Sequence, residues 1–98
     1  MDKRTPHWKL SEVKALVASG KVRTTHSVRI GANELGFDYL EMLAVIMLLK
    51  SSDFYKSMTT YADHRVWQDV YRPSTTLGDV YLKLTVTEDV LIVSFKEV

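Results

Sequence analysis

Cysteine is absent from the 98 residues, and with it go disulfides, thiolate metal sites and cysteine nucleophiles. Its absence fits a reducing compartment. Glycine is scarce: four in the whole chain are too few to build a phosphate-cradling loop, and no G-x-S-x-G occurs. The histidines His7, His26 and His64 are scattered, with no spacing that sets two on one helix turn. No metal and no cofactor is therefore expected. The longest apolar run, Met42 to Leu49, is eight residues, far below a membrane span. The basic start MDKRTPHWKL lacks the apolar stretch of a signal peptide. The expectation is a soluble cytoplasmic protein.

What remains is the composition of an ordinary globular chain, 46% hydrophobic and 26% charged, and the length predicts one domain over residues 1–98. Net charge is only +1, but it is unevenly spread. Residues 1–30 carry seven basic side chains against two acidic, a net +5, and the remaining six against ten, a net −4. A basic end on a near-neutral protein attracts RNA or an acidic partner, or is simply a solvated surface.

The chain divides by periodicity. Leu10, Val13, Leu16 and Val17 recur at helical spacing. Ser11 is the candidate cap of that helix and Gly20 its stop. Val22 to Thr25 suits a brief strand, and Ser27 to Leu35 a short helix closed by Gly36. Asp38 followed by Glu41 predicts a capping box for a largely apolar helix running to about Leu49. From Phe54 the pattern becomes strand-like. FYKSMTTY and VWQDVYR are rich in aromatic and β-branched residues, with Asp63-His64 as the turn between them and Arg72-Pro73 as the stop. After a turn at Leu77-Gly78-Asp79, Val80, Leu82, Leu84 and Val86 alternate with Tyr81, Lys83, Thr85 and Thr87. Glu88-Asp89 then turns the chain into VLIVSFKE. Together these predict an α+β fold, with helices of the N-terminal half on one face of a mostly antiparallel sheet.

Helices on one face leave the other open. Tyr81, Lys83 and Thr85 are expected to point to it together, and Ser94 shares a face with Lys96. Lys56 is expected opposite in direction to its neighbour Tyr55. Gln68, between Val66 and Val70, is out of place in a core and should reach the open side. Lysines, a glutamine and tyrosines converging on an exposed sheet suit an RNA phosphate and its flanking bases. The same residue types also protect sheet edges and pack small sheets.

The blocks SDFYKSMTTY, WQDVYRP, VYLKLTV and DVLIVSFKE, with KRTPH and VRTT near the start, resemble those of the MqsR family of bacterial toxins. The resemblance runs over essentially the full chain, is strongest from Ser52 onward, and between Val28 and Lys50 is mainly one of hydrophobic pattern. It implies a fold similar to the RelE and YoeB ribonucleases. It also implies an endoribonuclease that cuts mRNA at GCU-type sequences, a toxin held in check by an MqsA-type antitoxin with a zinc-binding domain and a helix-turn-helix domain. Carried onto this sequence, the family's proposed catalytic residues fall on Lys56, Gln68, Tyr81 and Lys96, and its suspected substrate contacts on Tyr55, Met58 and Arg72. Glu88 stands where some members have a histidine, so no role of that histidine transfers.

Such a site needs no metal in principle, because the RNA 2′-hydroxyl is itself the nucleophile. The protein must position the backbone, neutralise the phosphorane and manage two protons. The difficulty is the base: an unperturbed lysine is neutral in only about one part in 10³ or less at pH 7. A neighbouring lysine improves that fraction. Base and acid stay unassigned among Lys56, Tyr81 and Lys96. The competing reading is a binding module whose basic, aromatic sheet face holds RNA or a protein without turnover. The antitoxin is expected to add a strand or cover a sheet face, with Phe54 to Tyr61 and Val66 to Arg72 as the contact elements.

Overall fold

Short helices come first. The computed structural model describes every residue from Met1 to Val98. After a two-residue strand β1 (Asp2–Lys3), helix α1 spans Leu10–Ala18 and buries Val13 and Val17. It starts two residues earlier than a Ser11 cap would set it. Lys9 is at the N-cap without a side-chain hydrogen bond, and Leu10, now inside the first turn, packs against the core. At its other end Gly20 takes φ +80. This lets its own N–H reach the Val17 carbonyl and that of Lys21 the Leu16 carbonyl, the paired bonds of a Schellman stop. Strand β2 (Val22–Thr24) leads to α2 (His26–Glu34), capped by the Thr25 hydroxyl. Helix α3 (Tyr39–Met47) opens on the expected box: Asp38 accepts from the Glu41 N–H at 2.8 Å, and Glu41 accepts from the Asp38 N–H at 3.0 Å. No helix is long and apolar enough to cross a membrane.

The second half is strand β3 (Phe54–Thr59), β4 (Trp67–Tyr71), the two-residue β5 (Ser74–Thr75), β6 (Gly78–Val86) and β7 (Val90–Glu97). The sheet order is β1-β3-β4-β6-β7-β2, antiparallel except where β2 joins β7, with β5 folded back on β6. All three helices lie in the N-terminal half, and the fold is α+β as expected. Val80, Leu82, Leu84, Val90, Ile92 and Phe95 meet Val13, Val17, Val28, Met42 and Ile46 in the core. Strand β4 is interior, bonded to β3 and β6, so Trp67 to Tyr71 offer no edge for an added strand.

Two bulges decide which side chains face where. Between Phe54 and Lys56 the register slips, so that Phe54 is opposite Tyr71, Lys56 is opposite Val70, and Tyr55 is the extra residue. Between Ser94 and Ile92 of β7, Val93 is skipped against Lys83 and Leu84. Strict alternation would put Ser94 on the side of Ile92. The bulge instead lets Ile92 and Phe95 both enter the core and leaves Ser94 beside Lys83.

Tyr71 ends β4 with its ring edge-on to Phe54, 5.5 Å between centroids, and its buried hydroxyl has no hydrogen-bond partner. Burial, and secondarily the charge of Asp69, push this phenol from its ordinary 10.0 up to about 12. A raised folded-state value favours the protonated folded form. The contribution is complete below about pH 10 and is lost as the pH climbs to about 12, roughly 3 kcal/mol in all. Tyr71→Phe removes an unpartnered buried hydroxyl, so stability at pH 7 should hold or rise slightly and that part of the alkaline loss should vanish. Denaturant titrations near neutrality and near pH 11 check both; an equal alkaline loss in wild type and variant would contradict it.

Candidate active site

The sheet face turned away from the helices is laid out by cross-strand register. Lys56 of β3, Val70 of β4, Lys83 of β6 and Ser94 of β7 form one row across four strands. Val70 is fully buried beneath the two lysines, an apolar floor under charged flanks. Toward one end of the strands Tyr81 pairs with Lys96, and toward the other Met58 pairs with Gln68. Two tyrosine rings gather the cations. The Lys96 ammonium is 5.3 Å from the Tyr81 centroid and that of Lys83 is 5.9 Å from it. The Arg72 guanidinium is 5.0 Å from the Tyr55 centroid and Lys56 is 5.6 Å from it.

Tyr55 therefore belongs with Lys56, contrary to the opposite directions that period two predicts. The bulge at Tyr55 is the reason, since an extra residue shifts the alternation by one. Thr85 also departs from expectation. It is buried, and its hydroxyl donates to the Trp67 carbonyl at 2.7 Å, so it braces β6 against β4 instead of facing a ligand. Lys56, Gln68, Tyr81 and Lys96, with Tyr55, Met58 and Arg72, are thus distributed over one continuous surface. Lys56, Tyr81 and Lys96 surround Lys83, and Gln68 and Met58 sit one row away.

The electrostatics are one-sided. Lys56, Arg72, Lys83 and Lys96 face a single carboxylate, that of Asp2, 3.6 Å from the Lys56 ammonium. Burial first, then repulsion from Lys96 and Lys56, lowers the Lys83 amine from the ordinary lysine value. All four cations come from the segment whose net charge is negative. In the basic first segment Arg23 pairs with Asp89, Lys14 donates to the Leu49 carbonyl and Arg29 covers the Tyr39 ring. Charge summed along the chain does not reveal this cluster, because alternation, not composition, sorts these lysines onto one face.

Two residues carry weight that sequence reasoning did not assign. Lys83 was visible as a residue two positions after Tyr81, but nothing local marks it as the centre of the cluster. Asp69, between Gln68 and Val70 on β4, is fully buried on the other face. Its carboxylate accepts from the His7 N–H at 3.0 Å to each oxygen and from the Trp8 N–H at 3.1 Å. The His7 ring stacks on Trp67 at 5.2 Å, and the Lys3 ammonium is 4.2 Å from the same indole ring. Asp69 thereby fastens the first residues to the strand that carries Gln68. No group of three His, Asp or Glu side chains is placed to hold a metal ion.

The family described as "Motility quorum-sensing regulator, toxin of MqsA" matches residues 5–97. The chain belongs to the MqsR toxin family. It is 64% identical over 97 residues to the mRNA interferase toxin MqsR of Escherichia coli (strain K12), covering 99% of each chain. An mRNA interferase is an endoribonuclease, and membership of the MqsR family makes this chain the toxin of a toxin–antitoxin pair.

Proposed function

We propose that this toxin cuts single-stranded mRNA at GCU-type sites by attack of a 2′-hydroxyl on the adjacent phosphate, without a metal ion. The observation that carries the reading is the row Lys56–Val70–Lys83–Ser94 with Tyr81 and Lys96 beside it, a cationic, aromatic face crossed by four strands. Ammonium groups fixed around one point stabilise the extra negative charge of a phosphorane without reorganising during the reaction. Lysine, glutamine and tyrosine side chains are poor ligands for the divalent ions that nucleases use, which prefer carboxylates. They are good hydrogen-bond donors to phosphate oxygens.

In this reading Lys56 and Lys96 hold the scissile phosphate. Gln68 binds a phosphate oxygen or ribose hydroxyl, and Tyr81 moves a proton at the reacting centre. Tyr55 and Arg72, stacked on each other, offer a platform for a flanking base, and Met58 an apolar contact beside it. The partner is an MqsA-type antitoxin with zinc-binding and helix-turn-helix domains, and the working compartment is the cytoplasm, where the mRNA is.

The protein should cut a short RNA containing GCU in excess chelator, leaving a 2′,3′-cyclic phosphate on one fragment and a 5′-hydroxyl on the other. End-group analysis of the products checks this. A 3′-hydroxyl with a 5′-phosphate, or activity that disappears with chelation, would contradict the mechanism. Tight binding with no cutting would instead favour a binding module.

A further inference from the structure

We propose that Lys83 is the general base, taking the proton from the 2′-hydroxyl while Lys56 and Lys96 hold the phosphate. The assignment rests on the face being an RNA-cleaving site, and it separates three lysines by their surroundings. The Lys56 ammonium already has a partner, the Asp2 carboxylate at 3.6 Å. Lys96 is exposed near the end of β7, with its ammonium over the Tyr81 ring. Lys83 lies between them on β6, half-buried beside the Val70 floor, and has neither an ion pair nor a hydrogen bond to its amine. The groups facing it are Lys56 from β3, Lys96 from β7 and Tyr81 from its own strand. Arg72 and Tyr55 lie beyond Lys56, and the one carboxylate nearby is already engaged by Lys56. Burial first, then the like charges of Lys96 and Lys56, favours the neutral amine at this position.

The balance of the step is simple. The neutral Lys83 amine accepts the 2′-hydroxyl proton as the 2′-oxygen bonds to phosphorus. The bond from phosphorus to the 5′-oxygen breaks, and that oxygen takes a proton from Tyr81 or Lys96. The products are a 2′,3′-cyclic phosphate and a 5′-hydroxyl; the Lys83 ammonium then gives its proton to water, and the deprotonated Tyr81 or Lys96 regains one. Because the neutral form is the active one, the rate should rise with pH until the amine is fully deprotonated.

The test is single-turnover cleavage of the GCU-containing RNA from about pH 6 to pH 9.5, in wild type, Lys83→Arg and Lys83→Ala. Arginine keeps the charge but does not deprotonate in this range. Both variants should lose about 10²- to 10⁴-fold in rate and lose the rising limb. Lys83→Arg should still bind an RNA carrying a 2′-deoxy scissile nucleotide within a few-fold of wild type. Added methylamine should partly restore Lys83→Ala in proportion to the free amine. Lys83→Arg cutting at nearly the wild-type rate with the same limb would overturn the assignment. So would a Lys83→Ala that keeps the limb and ignores methylamine, or a Lys83→Arg defect confined to binding. A wild type that cuts no RNA would instead sink the ribonuclease reading, and the base with it.

Discussion

Lys56→Ala and Tyr81→Phe are each expected to lower RNA cleavage by about ten-fold to a thousand-fold, the usual range for removing a charge-stabilising or proton-transfer group. The melting temperature should hardly move. Both side chains are half-buried, somewhat more enclosed than an open strand face suggests, yet neither supports the core. The Lys56–Asp2 ion pair is partly exposed and its loss costs at most about 1 kcal/mol. Tyr81→Phe removes one hydroxyl that makes no hydrogen bond within the protein and keeps the ring under Lys83 and Lys96. Cleavage rates alongside thermal denaturation distinguish chemistry from packing. Activity near wild type in either variant, or a large drop in melting temperature, would favour a structural role for these residues.

The largest stability effect belongs to a residue outside the candidate site. Asp69→Ala should cost about 3 kcal/mol or more, because it leaves the His7 and Trp8 N–H groups without the carboxylate they donate to and opens a cavity in a fully buried site. For a domain of this size that corresponds to a fall in melting temperature of roughly 12 to 24 °C. The amino-terminal segment should loosen first. Its remaining hold on the sheet is the His7–Trp67 stack, Lys3 over the same indole, the Lys56–Asp2 pair, the Met1–Thr59 bonds and the short β1–β3 pairing. Thermal denaturation combined with limited trypsin digestion at Arg4 and Lys9 reads both effects. A variant that melts within a few degrees of wild type and resists cleavage there would show that Asp69 is not the latch.

The contrast between these two predictions reflects what local sequence encodes. The Asp38–Glu41 box and the Gly20 stop are visible because each depends on residues three or four apart. The alternation of Val80, Leu82 and Leu84 is visible for the same reason, and it correctly placed Tyr81 and Lys83 on the open face. The bulges at Tyr55 and Val93 are invisible locally, because each is a mismatch between two strands and exists only in their register. Hence the direction of Tyr55 was misread, and Ser94 reached its expected face only through a bulge that strict alternation does not contain. Asp69 shows the limit most clearly: its donors lie 61 and 62 residues away, so only the folded chain explains a carboxylate in an interior strand. Ser11 illustrates a smaller failure, in which a good capping residue yields to a neighbour because Leu10 gains more by packing inside the helix. Lys83 was seen on the correct face, but its position between Lys56 and Lys96 depends on the pairing of β4, β6 and β7.

The central claim is that the substrate supplies the nucleophile and the lysine–tyrosine face supplies the rest. The most direct measurement compares two otherwise identical GCU-containing RNAs, one with a single 2′-deoxy nucleotide at the scissile position, both in chelator. The account predicts rapid cutting of the all-ribose strand and none of the other, with comparable binding of both. Cutting of the deoxy-substituted strand at that same bond would contradict it.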